Sequence, residues 1–104
     1  MNLNKVMSLV SLAQKAGKVT SGEFSVEKSV KTGHSFLVLV ADDSSENTKK
    51  MFSNMCEYYD VPIYFLSDKE NLGHFIGKEF RASVSINDEG FANSIKKQLS
   101  VLNQ

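Results

Sequence analysis

The sequence predicts one α/β domain over residues 1–104, a three-layer α/β/α sandwich with a four-stranded mixed sheet and about five helices. Helical and extended patterns alternate along the chain in the order α-β-α-β-α-β-α-β-α, which is typical of a sheet covered by helices. One extended run, "FLVLV" at 36–40, is apolar at every position, as expected of a central strand buried on both faces. A chain of 104 residues also suits one hydrophobic core.

The spacing of apolar residues and the positions of glycines predict the first three elements, a helix, a strand and a second helix. Apolar residues at i, i+3, i+4 and i+7 predict a helix that stops before Gly17, with the stripe Val6, Leu9, Val10 and Ala13. "KVT" at 18–20 predicts a short strand. "SGEFSVEKSVKTG" predicts a second helix that ends at Gly33, because glycine is favoured just past a helix end.

The second helix carries a phenylalanine on a face of lysines. At about 100° per residue, Val26 and Val30 share one side and Lys28 lies almost opposite them. Phe24 lies about 40° from Lys28 and Lys31 about 60° from it. Burying a phenylalanine is worth about 1.5–3 kcal/mol, so we expect either a neighbouring segment or a partner to cover this ring.

A capping box is expected to open the third helix, with Asp43 as the cap and Glu46 three residues on. The inward stripe predicted for this helix is Met51, Phe52, Met55, Cys56 and Tyr59. "VPIYFL" at 61–66 predicts the strand that follows, with Pro62 at its start, where the missing N–H is tolerated.

A second capping box, Ser67 with Glu70, predicts a fourth helix that ends at Gly77. Asp68 would then be its first helical residue. Gly73 within this helix costs about 1 kcal/mol relative to alanine, so we expect it to permit a close backbone contact.

Alternating residues 82–86 predict a half-exposed last strand, with Ser83 and Ser85 facing solvent. Asn87 or Asp88 is expected to cap the last helix. The apolar stripe of that helix is Phe91, Ile95, Leu99 and Leu102.

Charge and composition narrow the class of protein. The net charge is zero, which argues against a protein that coats nucleic acid, but residues 1–35 carry +3 and residues 36–104 carry −3, compatible with a local basic patch. Cys56 is the only cysteine, which excludes an internal disulfide and fits a reducing cytoplasm. The richest apolar run, at 36–41, is far shorter than a bilayer span, and no signal-peptide core is found, so no membrane partner is expected.

Catalytic signals are weak, and no enzyme, metal or cofactor is predicted. Asp42 and Asp43 follow the central strand, where paired carboxylates can hold magnesium in phospho-acceptor domains. The capping signature favours a structural role for them instead. His34 and His74 have no nucleophile nearby in sequence, and Cys56 lies on an apolar stripe, as a buried, inert thiol does.

Signals for nucleic-acid binding occur in two segments. Gly22 begins the second helix, and a helix N-terminus attracts phosphate. Phe24 lies there between lysines as a surface on which a base could stack. "GKEFRA" at 77–82 repeats the mixture of cations and an aromatic ring, a combination typical of RNA-binding surfaces. The alternative interpretation is solvated lysines with two phenylalanines tucked under loops.

Five further segments are informative together: "LAQKAGKVTSGE", "SSENTKK", "CEYYDVP", "LGHFIGKEFR" and "NDEGFA". They resemble segments of the kink-turn-binding family of large-subunit ribosomal proteins, and within it those of the bacterial YlxQ-like branch. The resemblance covers residues 6–95 and implies an α/β/α sandwich that binds RNA without catalysis. It implies as ligand a sharply bent internal loop with sheared G·A pairs.

The family's binding signature is Gly-x-Asn-Glu-x-x-Lys at the start of the second helix. By position its glycine is Gly22 and its lysine Lys28, whereas Phe24 and Ser25 replace the asparagine and the glutamate. A phenylalanine can stack on a base but cannot form the hydrogen bonds of an amide, so altered specificity is expected. The second family contact, a loop packing on an extruded nucleotide, corresponds to residues 77–82.

The predicted RNA-binding set therefore comprises both segments: Gly22, Glu23, Phe24, Ser25, Lys28, Lys31, Lys78, Phe80 and Arg81. The expected partner is a structured RNA, ribosomal RNA among the candidates, with ribosome association, and the expected state is a monomer. The alternative hypothesis is a protein-interaction module on the same fold that has lost kink-turn recognition.

Overall fold

The computed structural model describes residues 3–102, the last of them by its backbone alone. Within this range helices and strands alternate as the sequence predicts. The nine elements are α1 (Leu3–Lys15), β1 (Val19–Ser21), α2 (Glu23–Lys31), β2 (Leu37–Val40), α3 (Glu46–Tyr59), β3 (Ile63–Phe65), α4 (Lys69–His74), β4 (Ser83–Ile86) and α5 (Glu89–Leu102).

The four strands form one mixed sheet in the order β1-β4-β2-β3. β4 pairs antiparallel with both β1 and β2, and β2 pairs parallel with β3. Ser21 at the end of β1 is opposite Val84, and Val40 at the end of β2 is opposite Ser83. The ends of β1 and β2 and the start of β4 therefore meet at one edge of the sheet.

Helices cover both faces of the sheet, which confirms the predicted sandwich. On one face α1, α4 and α5 pack against β2 and β4 around Val6, Val10, Leu37, Leu39, Leu72, Val84, Ile86 and Ile95. On the other face α2 and α3 pack around Val26, Val30, Val38, Val40, Phe52 and Cys56. All four side chains of β2 are buried, as an apolar run on both faces predicts.

The predicted inward faces of the helices are largely confirmed. One exception is Tyr59, the last residue of α3, which is 40% exposed and lies edge-on to Tyr58 with ring centroids 4.8 Å apart. In α1, Met7 is buried in addition to the predicted stripe. Ile95 and Leu99 of α5 are buried, whereas the side chain of Leu102 lies outside the described part of the chain.

The prediction of a half-exposed last strand is wrong, because Ser83 and Ser85 are fully buried. β4 lies between β1 and β2, so helices cover both of its faces. The Ser85 hydroxyl lies 2.7 Å from Ser35 Oγ and donates to Asn87 Oδ1 at 2.6 Å, and Ser29 Oγ donates to the same Asn87 oxygen at 2.7 Å. A buried polar group is tolerated when it is hydrogen-bonded, and this network allows Ser85 to face the protein interior.

Asp43 does not cap α3 as predicted. The cap is Ser45, whose hydroxyl accepts the N–H of Thr48 at 3.1 Å. Asp43 Oδ1 instead accepts the N–H of Lys69 at 3.0 Å. It therefore stabilises the start of α4, a contact across 26 residues that no local pattern indicates.

The fourth helix also begins one residue later than predicted. Ser67 has a positive φ of 62° and precedes the cap, Asp68, whose carboxylate accepts the N–H of Asn71 at 2.7 Å. The prediction for α5 is confirmed, since Asp88 Oδ2 accepts the N–H of Phe91 at 2.9 Å.

Candidate nucleic-acid interface

The start of α2 presents unpaired backbone donors. Gly22 is its N-cap with φ 91°, and its N–H donates to Ser83 O at 3.0 Å. No side chain caps this helix, and the first intrahelical bond runs from the Val26 N–H to Gly22 O. Among the described residues nothing accepts the N–H groups of residues 23–25. Together with the helix dipole, they create a positive potential at this end.

The face of α2 that carries Phe24 is open to solvent. Val26 and Val30 are buried on the opposite side, as their spacing predicts. Phe24 is 78% exposed, and Lys28 is exposed beside it. No neighbouring segment within residues 3–102 covers the ring, so the expected cover by another part of the chain is not found there.

The two lysines of α2 differ in their surroundings. Lys31 Nζ donates a hydrogen bond of 2.6 Å to Glu27 Oε2, and this bond to the carboxylate raises the pKa of Lys31. Within the described chain, no carboxylate oxygen lies within 4.0 Å of Lys28 Nζ. The charge of Lys31 is therefore partly compensated, while Lys28 is available to an anion.

The loop of residues 75–82, here called the α4–β4 loop, is shaped by two glycines. The N–H of Lys78 donates to Gly73 O at 2.9 Å, and Gly77 has φ 75°. A Cβ on Gly73 would overlap the carbonyl of Glu79, which confirms the predicted close backbone contact. The loop folds back over α4, and Lys78 and Phe80 both remain exposed, Phe80 by 65%.

Arg81 joins the α4–β4 loop to the corner before α2. Its Nε donates to Ser21 Oγ at 3.1 Å and its Nη1 to Phe80 O at 2.8 Å. Its backbone N–H donates to Lys69 O at 3.0 Å. The structure thus brings both predicted segments to one edge of the sheet, and half-buried Arg81 adds structural contacts to its charge.

Acidic residues are also present at this edge. Glu23 is exposed in the first turn of α2, as is the neutral Ser25, and Glu79 is exposed in the α4–β4 loop.

Within residues 3–102 no three His, Cys, Asp or Glu side chains are grouped as metal ligands would be. Asp43, weighed with Asp42 as a magnesium ligand and expected instead to be structural, accepts the N–H of Lys69 at the start of α4. None of the helices in the same range is long and apolar enough to cross a bilayer.

Cys56 lies away from this edge in the core between α3 and the sheet. It is 1% exposed, and burial raises the pKa of its thiol from 9.0 to about 11. The thiol is therefore protonated at neutral pH, as predicted for a buried, inert cysteine.

Sequence reasoning missed a groove beside α2, which we call the α2–β1 groove. It has a volume of about 500 Å³ and is lined by Thr20, Phe24, Lys28, Thr32, His34 and Asn87, with Ser25 and Ser29. Phe24, Lys28 and Thr32 follow one another at intervals of four residues along α2, a stripe that the sequence contains. The approach of Asn87 and His34 to it depends on the tertiary fold.

Comparisons with known proteins agree on one family. The sequence profile of the ribosomal protein L7Ae/L30e/S12e/Gadd45 family matches residues 4–96. The chain is 42% identical to the RNA-binding protein YlxQ of Bacillus subtilis, over 84% of this chain and 87% of that protein. It is 33% identical to the large ribosomal subunit protein eL8 of Thermoplasma volcanium, over 91% of this chain and 79% of that protein. These matches confirm the predicted resemblance and its YlxQ-like branch.

Solved structures share the fold. A Bacillus halodurans protein of unknown function superimposes with a TM-score of 0.89 at 31% identity, covering 92% of this chain and 97% of that one. The Giardia lamblia 15.5kD RNA binding protein superimposes with a TM-score of 0.81 over 98% of this chain and 91% of that one. Its identity of 22% supports the shared fold alone.

Proposed function

The chain belongs to the ribosomal protein L7Ae/L30e/S12e/Gadd45 family, and from that premise we propose that it is a non-catalytic RNA-binding protein. RNA docks across the start of α2 and the α4–β4 loop. The observation that carries the proposal is the hydrogen bond between Arg81 and Ser21, because it joins two segments that each expose one aromatic ring and one lysine. Relatives named as RNA-binding and ribosomal proteins support the same class of function.

Each part of this surface has a physical role in the proposal. The free N–H groups at the start of α2 bind a phosphate, and Lys28 and Lys78 neutralise neighbouring phosphates. Phe24 and Phe80 stack on unpaired bases, each worth about 1–3 kcal/mol. Arg81 chiefly holds the loop against Ser21, and Lys31 contributes less because Glu27 compensates its charge.

The residues at the family's base-reading positions set the expected specificity. Phe24 and Ser25 replace an asparagine and a glutamate that hydrogen-bond to base edges. Stacking tolerates any base because every base has a π-face. We therefore expect structured RNA with unpaired nucleotides, ribosomal RNA included, to bind with looser selection for sheared G·A pairs. The bound protein is expected to be a monomer in association with the ribosome.

The proposal is tested by titrating a bent internal-loop RNA with wild type and alanine variants at several salt concentrations. Lys28→Ala is expected to weaken binding and to reduce the slope of log affinity against log salt by about 0.7–1. Phe24→Ala is expected to weaken binding by about 1–3 kcal/mol with the slope unchanged. Equal affinity of wild type and the Phe24→Ala/Lys28→Ala double variant would refute the interface.

The same titration distinguishes RNA binding from the alternative function, a protein-interaction module on the same fold. A net charge of zero and the exposed Phe24 favour that alternative. A protein partner that docks on the apolar ring would bind with little dependence on salt, and RNA would then fail to compete with it.

A further inference from the structure

We infer that the α2–β1 groove is a second nucleotide site, which takes a single-stranded RNA flank running from Phe24 towards His34. The inference rests on the proposed RNA-binding function and extends it to a surface outside the family's two contact segments. Phe24 and Lys28 belong to both surfaces, so a strand leaving the interface at the start of α2 meets the groove directly.

The dimensions of the groove suit a short single strand. Phe24, Lys28 and Thr32 lie along one stripe of α2, and eight residues of helix span about 12 Å. A stacked strand rises about 3.4 Å per nucleotide, so about three nucleotides match this length. The groove, with a volume of about 500 Å³, is open to solvent, so a bound strand can continue beyond it.

The charges in the groove favour an anion. Lys28 is among its lining residues, and none of the eight lining residues carries a carboxylate. Another surface pocket beside the α4–β4 loop is lined by Glu70 and Glu79 as well as Lys78. Of these two, the α2–β1 groove is therefore the better match for a phosphate backbone.

Asn87 supplies a donor on the wall of the groove. Its Oδ1 accepts from the hydroxyls of Ser29 and Ser85 at 2.7 and 2.6 Å, which fixes the amide plane. Its Nδ2 donates to the hydroxyl of Thr20, which also lines the groove, at 3.4 Å, a long hydrogen bond. An amide nitrogen carries two N–H donors, and within the described chain the second has no acceptor, so a nucleotide can take it.

His34 supplies an acceptor at the far end. The single hydroxyl proton of Thr32 is donated to Lys28 O at 2.7 Å, so Thr32 Oγ1 accepts from His34 Nδ1 at 2.8 Å. This arrangement places the proton of a neutral imidazole on Nδ1 and leaves Nε2 as an acceptor. A donor, an acceptor, a cation and a flat ring in one groove are what single-stranded RNA needs for its base edges, 2′-hydroxyls and phosphates.

The test compares two probes, a five-nucleotide oligoadenylate and the blunt-ended bent internal-loop RNA. Asn87→Asp keeps the oxygen that Ser29 and Ser85 contact but replaces the donor with a carboxylate, and exposed His34 is changed separately in His34→Ala. Each variant is expected to bind oligoadenylate at least about fivefold more weakly. Lys50→Ala, at an exposed lysine of α3 outside the groove and the proposed interface, is the matched control and is expected to leave binding of both probes unchanged.

Three results would contradict the proposed nucleotide site in the groove, and they have different consequences for the proposed RNA-binding function. If wild type and both groove variants bind oligoadenylate with the same affinity, the oligonucleotide binds elsewhere on the protein. Wild type that binds the internal-loop RNA but no oligoadenylate also removes the groove, and leaves the proposed RNA-binding function intact. If wild type binds neither probe, both the groove proposal and the proposed RNA-binding function are wrong.

Discussion

Arg81 Nε donates a hydrogen bond of 3.1 Å to Ser21 Oγ, across 60 residues of sequence. Ser21 ends β1 immediately before the start of α2, and Arg81 lies in the α4–β4 loop two residues before β4 begins at Ser83. The same guanidinium also donates to the carbonyl of Phe80 at 2.8 Å. One side chain therefore fixes the two proposed RNA-contacting segments relative to each other.

Replacing either partner of this hydrogen bond is expected to loosen the α4–β4 loop. Ser21→Ala removes the acceptor without changing the charge, and Arg81→Lys keeps the charge but loses the Nε donor. Each is expected to lower the free energy of unfolding by about 0.5–1.5 kcal/mol, measured by urea denaturation, and to weaken RNA binding. A double-mutant cycle should give a coupling energy in the same range, and strictly additive effects would contradict a direct contact.

Gly73→Ala is expected to displace the α4–β4 loop. The new Cβ would overlap the carbonyl of Glu79, a backbone atom that cannot rotate away. The gain in helix propensity, about 1 kcal/mol, is outweighed by an overpacking cost of about 1–3 kcal/mol or more. Thermal or urea unfolding measures the loss, and RNA affinity should fall with it because Lys78 and Phe80 move.

Gly90→Ala in α5 is the matched control for that prediction. Its Cβ would lie 3.3 Å from Asp88 Oδ2, an atom at the end of a side chain. We expect its free energy of unfolding to stay within about 1 kcal/mol of wild type, with RNA binding unchanged. A Gly73→Ala variant as stable as Gly90→Ala would show that the loop does not need the close approach.

The order of elements could be predicted from the sequence because each element has its own local signature. The apolar run of β2 and the four-residue spacings of the helices are read within short windows. The position of β4 between two other strands is a property of the whole sheet. Its alternating pattern therefore predicted solvent exposure for Ser85, which instead bonds within a buried polar network.

The two segments of the candidate site could also be predicted, but their connections could not. Phe24 and Phe80 are exposed, as a binding role requires. The pairing of Lys31 with Glu27 follows helix spacing and was available from the sequence. The contact of Arg81 with Ser21 and that of Asp43 with Lys69 join distant positions, and no local pattern encodes them.

Restoring the family's base-reading residues is expected to change specificity. Phe24→Asn with Ser25→Glu rebuilds the signature on exposed positions at the start of α2, so the fold should be unaffected. The double variant is expected to prefer an internal-loop RNA with sheared G·A pairs over the same RNA with Watson–Crick pairs by about 1–3 kcal/mol more than wild type does. Anisotropy titrations with both RNAs measure this difference.

The control for restored specificity is Phe24→Ala with Ser25→Ala. It removes the aromatic ring without adding an amide or a carboxylate, so it should lose affinity for both RNAs alike. If the restored variant discriminates no better than this control, base-edge hydrogen bonds at these two positions do not determine recognition in this protein.

The buried thiol of Cys56 predicts a loss of stability at high pH. Below pH 9 the thiol is protonated in both the folded and the unfolded chain. Between pH 9 and 11 the unfolded thiol ionises, while burial keeps the folded thiol protonated because its pKa is raised to about 11. The unfolded state therefore gains stability as the pH rises, and the free energy of unfolding should fall by at most about 2–3 kcal/mol across this range.

Cys56→Ala isolates this contribution, because all other groups titrate alike in both proteins. The variant is expected to be less stable than wild type at pH 8, owing to the cavity left in the core. The difference between the two free energies of unfolding should then shrink from pH 9 to pH 11 in urea denaturation. A difference that stays constant over this range would mean that the folded thiol ionises as readily as the unfolded one, which is incompatible with its 1% exposure in the core.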